Sequence, residues 1–372
     1  MALAAGNQSR PRTVLMTADT VGGIWSYIAG LCATLPEIRF IVATMGPRPR
    51  QTQRVEIARL DNVVLEESDY RLEWMSNSGA DIAESNDWLV GIIARHGVDL
   101  VHINGFAHAR LGVGLPVLAV AHSDVLSWWE AVHKCVAPPD WDGYRRRTTA
   151  GLVAADRIVA PTAAVLRDLE RHYLPLENKG VVIGNGVNDG AFPPPFKQAL
   201  VAAAGRVWDE AKNLAALEAV APELAWPVEI AGDTKHPERG GMSFERVRLL
   251  GVLSPAEMSQ CLGRASIFAA PARYEPFGLA ILEAARAGCA LVLGDIPSLR
   301  ENWNGAAVFV PTEDRMALRS AINRLISRPG DRARLAAAAR YRARRFTLPR
   351  MGRAYAHLYS DMMQSVGCAE KA

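Results

Sequence analysis

Cysteine is scarce in this sequence, neither positive nor negative charge is in large excess, and no apolar run is long, and each shortage narrows the reading. The five cysteines (Cys32, Cys135, Cys261, Cys289, Cys368) are odd in number, scattered, and free of CxxC or Cys/His ligand spacing. They support neither a disulfide framework nor a zinc site, and they fit a reducing compartment. Lys and Arg number 42 against 39 Asp and Glu, a formal net charge of +3, so nucleic acid is not the expected partner. The longest nearly apolar stretch, Leu111 to Ala121, is too short for a bilayer and is broken by two Gly and a Pro. Residues 1–12 lack the apolar centre of a signal peptide, so a cytoplasmic protein is expected. No short-period repeat and no low-complexity tract occurs.

What is present is the composition of a packed protein: 49% hydrophobic and 22% charged residues over 372 positions, a length that suits two domains. Short apolar or β-branched runs recur between Ala/Leu/Arg-rich stretches, the alternation of βαβ units on parallel sheets. The first set is Thr13–Ala18, Arg39–Met45, Asn62–Leu65, Asp99–Asn104, Pro116–Ala121, Arg157–Ala160 and Val181–Ile183. The second set is Leu200–Ala204, Val228–Ala231, Val247–Leu250, Ser266–Ala269, Ala290–Leu293 and Ala306–Val310. Between them, Asn185 to Phe196 holds three successive prolines, which join neither a helix nor a central strand. The expected architecture is α/β, with two doubly wound domains facing a cleft and ligands beyond the carboxyl ends of the strands. The expected boundaries are a tail at 1–10, an N-terminal acceptor-side domain at 11–190, a linker at 191–197, and a C-terminal domain at 198–348. An amphipathic helix and tail at 349–372 follow, expected to pack back across the junction.

The chemistry concentrates in Tyr274-Glu275-Pro276-Phe277-Gly278-Leu279 and the residues up to Glu283 and Ala284. One carboxylate sits in the loop after the strand Ser266–Ala269, and a second lies inside the next helix. Between them the N–H groups of Gly278 and Leu279, at the helix start, form an anion site. An anion flanked by two hydroxyl-binding carboxylates has the layout of a nucleoside diphosphate sugar, although spacing alone also fits a helix with an acidic start.

Glu275 to Glu283 reproduces an E-x7-E motif, and the sequence resembles the family-4-like retaining glycosyltransferases of GT-B fold, which pair two Rossmann-like domains. The resemblance runs over about residues 12–365 and is strongest in the second half. Gly205-Arg206 followed by Lys212-Asn213-Leu214 is similar to the family's G-R…K-N-L segment. Asp19 to Ile24, with Gly22 and Gly23, looks like its glycine loop, and His122 looks like its strand-end histidine.

The resemblance implies hexosyl transfer from a nucleotide-diphosphate sugar, UDP- or GDP-linked, to a hydroxyl on a sugar, glycan or lipid-linked acceptor, with no metal and no other cofactor. It implies His122, Glu275, Arg206 and Lys212 as catalytic. For donor binding it implies Gly22, Gly23, Arg206, Lys212, Phe277, Gly278, Leu279 and Glu283. The sequence departs from the family at Gly184, where Pro is usual, at Asn188, where Asp is usual, and at Ile296-Pro297-Ser298, where Gly-Gly is common before Glu301, a further candidate.

The rival within this architecture is a nucleotide-sugar epimerase or a sugar-phosphate synthase, and outside catalysis a sugar-nucleotide-binding subunit. A nicotinamide dehydrogenase is disfavoured, because no G-x-G-x-x-G follows the first strand. His102 and His108, beside Asn104-Gly105, are expected to line the acceptor side. Trp128 and Trp129 cannot share one helix face, which leaves one for an acceptor sugar or a membrane interface. The Arg-rich stretch Arg332 to Arg345 reads as a solvated face or as a peripheral membrane contact.

Overall fold

Among the described residues the alternation of apolar runs becomes thirteen strands in two sheets. The computed structural model describes residues 12–188, 197–236 and 240–369; the N-terminal tail at 1–10 and most of the linker expected at 191–197 lie outside them. The first sheet is built from β1 (Thr13–Asp19), β2 (Arg39–Met45), β3 (Val63–Glu67), β4 (Leu100–Ile103), β5 (Val117–Val120), β6 (Arg157–Ala160) and β7 (Gly180–Val182), in the order β3-β2-β1-β4-β5-β6-β7. The second holds β8 (Gln198–Ala204), β9 (Val228–Ala231), β10 (Arg248–Gly251), β11 (Ala265–Ala270), β12 (Ala290–Gly294) and β13 (Ala307–Val310), in the order β10-β9-β8-β11-β12-β13. The paired neighbours run parallel. Every expected strand is present, with ends displaced by a residue or two.

Both faces of the second sheet are covered, which is why its strands read as unbroken apolar runs. The period of two assigns Val201, Ala203, Ile267, Ala269 and Val292 to one core layer. It assigns Leu200, Ala202, Phe268, Leu291 and Leu293 to the other. The strand order reverses direction between β8 and β11, so the loops that leave these two strands diverge and open a crevice at their carboxyl ends. In the first sheet the same reversal falls between β1 and β4.

The described residues divide into two compact units. One holds the chain up to Val120, Ala150–Arg157 and the residues from Tyr355 onward; the other holds Ala121–Thr149 and Ile158–Ala354. The expected C-terminal helix is present as Leu348–Ala369, and from Tyr355 on it belongs to the first unit. There its Tyr355 and Tyr359 pack around Tyr27 and His102. No helix of the described residues is long and apolar enough to cross a membrane.

Also in the first unit, His108 is 4% exposed and its Nε2 lies 2.8 Å from Ser85 Oγ. Burial lowers its pKa to about 4. In the unfolded chain the imidazole titrates near 6.5, so between these values the unfolded state binds the extra proton and stability falls as pH falls. Unfolding by denaturant is expected to lose up to about 1.4 kcal/mol per pH unit from this group across that window. His108→Gln should flatten that part of the pH dependence.

Candidate functional site

The loops at the reversal point of the second sheet carry the motif residues. After β8 the chain turns at Gly205, with φ of 155°, and passes through Arg206 to Lys212. After β11 it runs through Tyr274 and Glu275 into the helix Leu279–Arg286. The two loops are tied together, since the N–H of Arg273 donates to the carbonyl of Ala211 at 2.8 Å. Across this junction Lys212 Nζ donates to Glu275 Oε2 at 2.7 Å, and the two side chains are only 17% and 18% exposed. Asn213, at φ 53°, locks the turn by donating to the carbonyls of Pro271 and Thr312.

Gly278 precedes the helix at φ 86°. A Cβ there would come within 2.6 Å of the Ile281 side chain, so only glycine fits this left-handed entry. The first N–H groups of the helix have no acceptor within it and so present positive partial charge beside Glu275 and Lys212. Phe277 contributes main chain only, because its ring is 3% exposed and packs edge-on against Phe346. Ser298, in the segment that departs from Gly-Gly, donates from its hydroxyl to the Glu275 carbonyl at 2.6 Å and fixes the loop from the other side.

Glu283 lies one helix turn further in. Its carboxylate has no ionic partner among the described residues, and burial raises its pKa to about 7. An unfolded glutamate titrates near 4.3, so from there up to about 7 the folded state holds the extra proton and stability falls as pH rises. Glu283→Gln is therefore expected to raise stability at pH 8 by about 1–2 kcal/mol, after allowance for solvent access, and to change nothing at pH 4. Thermal unfolding of both proteins at the two pH values checks this.

Sequence reasoning missed Asp209. It is 4% exposed and makes four contacts: Oδ2 accepts from Arg206 Nε and Nη2 at 3.2 and 2.6 Å, and Oδ1 accepts from Trp128 Nε1 and the N–H of Ala211 at 2.9 and 3.0 Å. The cations Arg206 and Lys212 hold this carboxyl below its usual range, although burial opposes them. Asp209 thus aims the Arg206 fork, whose guanidinium also lies 5.2 Å from the Trp208 ring centre. Asp209→Asn keeps an acceptor for Trp128 and removes the charge facing Arg206; a loss of about 1–3 kcal/mol in denaturant unfolding is expected. The signal that would have found it is an acid three residues after the motif arginine, but its indole partner is 81 positions away in sequence.

His122 follows β5 in the second unit. Burial lowers its pKa to about 4, which leaves it neutral near pH 7. Two residues on, Asp124 caps the helix Val125–His133 by accepting from the N–H of Ser127 at 2.9 Å, and its own N–H donates to the Tyr274 hydroxyl at 3.2 Å. The His122 segment is therefore held to the residue that precedes Glu275.

The structure brings His122, Arg206, Lys212, Glu275, Phe277, Gly278, Leu279 and Glu283 into one unit. Gly22 and Gly23 lie in the other, where both are exposed at the start of the helix Ile24–Thr34, Gly22 at φ 79°.

Three expectations change. His102 and His108 do not line an open surface, since both lie within the first unit's core. His102 is fully buried, with Nδ1 2.6 Å from the Tyr359 hydroxyl. Glu301 is occupied, because its two oxygens accept from the N–H groups of Ala163 and Ala164 at 2.8 and 3.0 Å and so cap a neighbouring helix. The Arg-rich stretch is only partly a solvated face: Arg332 donates to the carbonyls of Leu325 and Ile326, and Arg342 donates to that of Asn302. Arg340, Arg344, Arg345 and Tyr341 are exposed. Among the described residues no group of three or more His, Cys, Asp or Glu side chains is placed to hold a metal ion.

A model described as Glycosyltransferase Family 4 matches residues 21–190, and one described as Glycosyl transferases group 1 matches residues 198–328. Glycogen synthase of Mycobacterium tuberculosis is 39% identical over 97 residues, 26% of this chain. That match spans 23% of the relative's length. Among solved structures, sucrose-phosphate synthase from Thermosynechococcus elongatus superposes with a TM-score of 0.78 at 16% identity, over 95% of this chain and 100% of that one. The Anabaena protein HepE, in complex with UDP-glucose, superposes with a TM-score of 0.74 at 15% identity, over 94% and 99% of the two chains. At these identities the likeness is one of fold, two Rossmann-like domains as in the GT-B glycosyltransferases.

Proposed function

We propose that this chain, which belongs to the group 1 and family 4 glycosyltransferases, moves a hexosyl unit from a nucleotide-diphosphate sugar to a hydroxyl acceptor with the anomeric configuration retained. The observation that carries the reading is the Lys212–Glu275 pair at 2.7 Å beside the start of the helix that holds Glu283. A cation, a helix N-terminus and two carboxylates close together in loop and helix support a reading in which they meet phosphate, sugar and ribose.

The barrier in such a transfer lies in the departing diphosphate and the cationic sugar it leaves behind. Lys212 and Arg206 supply positive charge where the leaving group gains negative charge, in a loop largely withdrawn from water, and each contact of this kind is worth about 3 kcal/mol. With that neutralisation in place the reaction requires no divalent metal. Glu275, in turn, accepts from the donor sugar's hydroxyls, and Glu283 accepts from the ribose.

His122, being neutral, acts as a hydrogen-bonding group that orients the sugar rather than as a cation. The acceptor oxygen attacks C1 from the face the diphosphate leaves. The C1–O bond to phosphate breaks as the new C1–O bond forms, and the hydroxyl proton passes to the departing phosphate oxygen. Residues 198–348 are the donor-binding part in this reading. The UDP-glucose bound by HepE makes a UDP-hexose the first donor to examine.

Proton NMR of the product tests the reaction. An α-linked donor should give an α-linkage, whereas a β-linkage, or an epimerised sugar without transfer, overturns it. For membrane contact, exposed Arg340, Tyr341, Arg344 and Arg345 are the face of choice. Their retention in the soluble fraction with anionic liposomes would remove that role.

A further inference from the structure

The helix Val125–His133 begins three residues after His122 and is tied to the phosphate loop by the Trp128–Asp209 bond. Along it and the turn that follows lies a run of rings the reaction above leaves unused. Trp129 and His133 pack at 4.2 Å between centroids with planes 46° apart. Trp141 sits 6.3 Å from Trp129 and meets Tyr144 edge-on at 6.1 Å. Trp128, Trp129 and Trp141 are half-buried, and His133 is exposed.

Polar groups are set among these rings. The indole N–H of Trp129 is buried with no hydrogen-bond partner among the described residues, whereas the imidazole of His133 belongs to an exposed residue and is open to a ligand. The neighbouring Glu130 is held by Arg171 and His172 at 2.9 and 3.1 Å.

From this surface we infer that Trp129, His133 and Trp141 form an acceptor subsite for a pyranose ring. The inference rests on the transfer reaction proposed above and names the acceptor class for that same site. Aromatic faces match the C–H face of a pyranose, and the imidazole nitrogens of exposed His133 match the hydroxyls on its rim. The rings are inclined to one another, and an acyl chain laid on them would leave the imidazole of His133 unpaired. The contrary feature is Val136, 79% exposed on the following loop, and it makes a lipid surface the competitor to be tested.

Maltotriose and cellotriose serve as sugar probes, phosphatidylglycerol vesicles as the lipid probe, and UDP and GDP report on the donor site. Wild type, His133→Ala and Trp141→Ala are titrated by calorimetry and by tryptophan fluorescence. A saturable response to either trisaccharide, weakened about tenfold or more in both variants while nucleotide affinity stays unchanged, supports the subsite. No response to either trisaccharide, an unchanged response in both variants, or vesicle binding lost in Trp141→Ala without sugar binding, overturns it. Failure of UDP and GDP to bind wild type would strike the donor reading instead and leave the sugar titration to stand by itself.

Discussion

Lys212→Ala should lower the rate of sugar transfer about 10²–10³-fold, the usual cost of deleting one charge-stabilising donor from a reaction centre. Lys212 pairs with Glu275, four residues before the helix start, and the variant removes the charge proposed to meet the departing diphosphate. Nucleoside diphosphate affinity is expected to fall with the rate, because the leaving group is bound by the same contact in ground state and product. Glu275 is left without its partner, but at 18% side-chain exposure it still reaches water, so the fold should survive, with an unchanged far-UV circular dichroism spectrum. Lys212→Arg keeps the charge in a broader, planar head that does not suit the single contact to Glu275, and it should recover only part of the loss. Steady-state kinetics on the three proteins, with nucleotide titrations beside them, distinguish a phosphate ligand from a structural salt bridge. Full activity in Lys212→Ala would sink the assignment.

Glu275→Gln is expected to separate sugar from phosphate. The amide keeps the shape of the carboxylate and loses the charge proposed to accept from the donor's hydroxyls, a change expected to cost about 10- to 100-fold in kcat/KM. Lys212, freed from its 2.7 Å ion pair, should then bind UDP or GDP at least as tightly as in wild type. The signature is an unimpaired nucleotide affinity together with loss of the extra affinity that the sugar adds. A parallel fall in both would mean that Glu275 acts only by holding Lys212 in place.

The two variants probe the part of the site that was most legible in sequence. The carboxylates at 275 and 283 and the cations at 206 and 212 are local patterns: each sits a fixed distance past an apolar run, and a strand followed by a glycine turn and a helix brings its loop to the carboxyl edge whatever the rest of the chain does. The strands were legible for the same reason, since a sheet covered on both faces needs continuous apolar runs.

What was not legible depends on partners distant in sequence. His102 looked like a site residue because it ends a strand. It is buried because Tyr359, 257 positions later, closes over it from the C-terminal helix. Asp209 carries no motif signal of its own, and its role depends on Trp128. Glu301 was a candidate from its motif position, while its carboxylate is spent on the start of the helix Ala163–His172. Gly186 is required by the main chain of Thr347, 161 positions later, which a Cβ would meet at 2.4 Å.

The central claim is that Arg206, Lys212 and the start of the helix Leu279–Arg286 bind a nucleoside diphosphate without a metal. Calorimetric titration of wild type and Lys212→Ala with UDP and GDP, in buffer containing EDTA, tests it most directly. Saturable binding of one of the two nucleotides by wild type, lost in Lys212→Ala, is the expected result. Absence of binding until a divalent cation is added, or equal affinity in the variant, would contradict it.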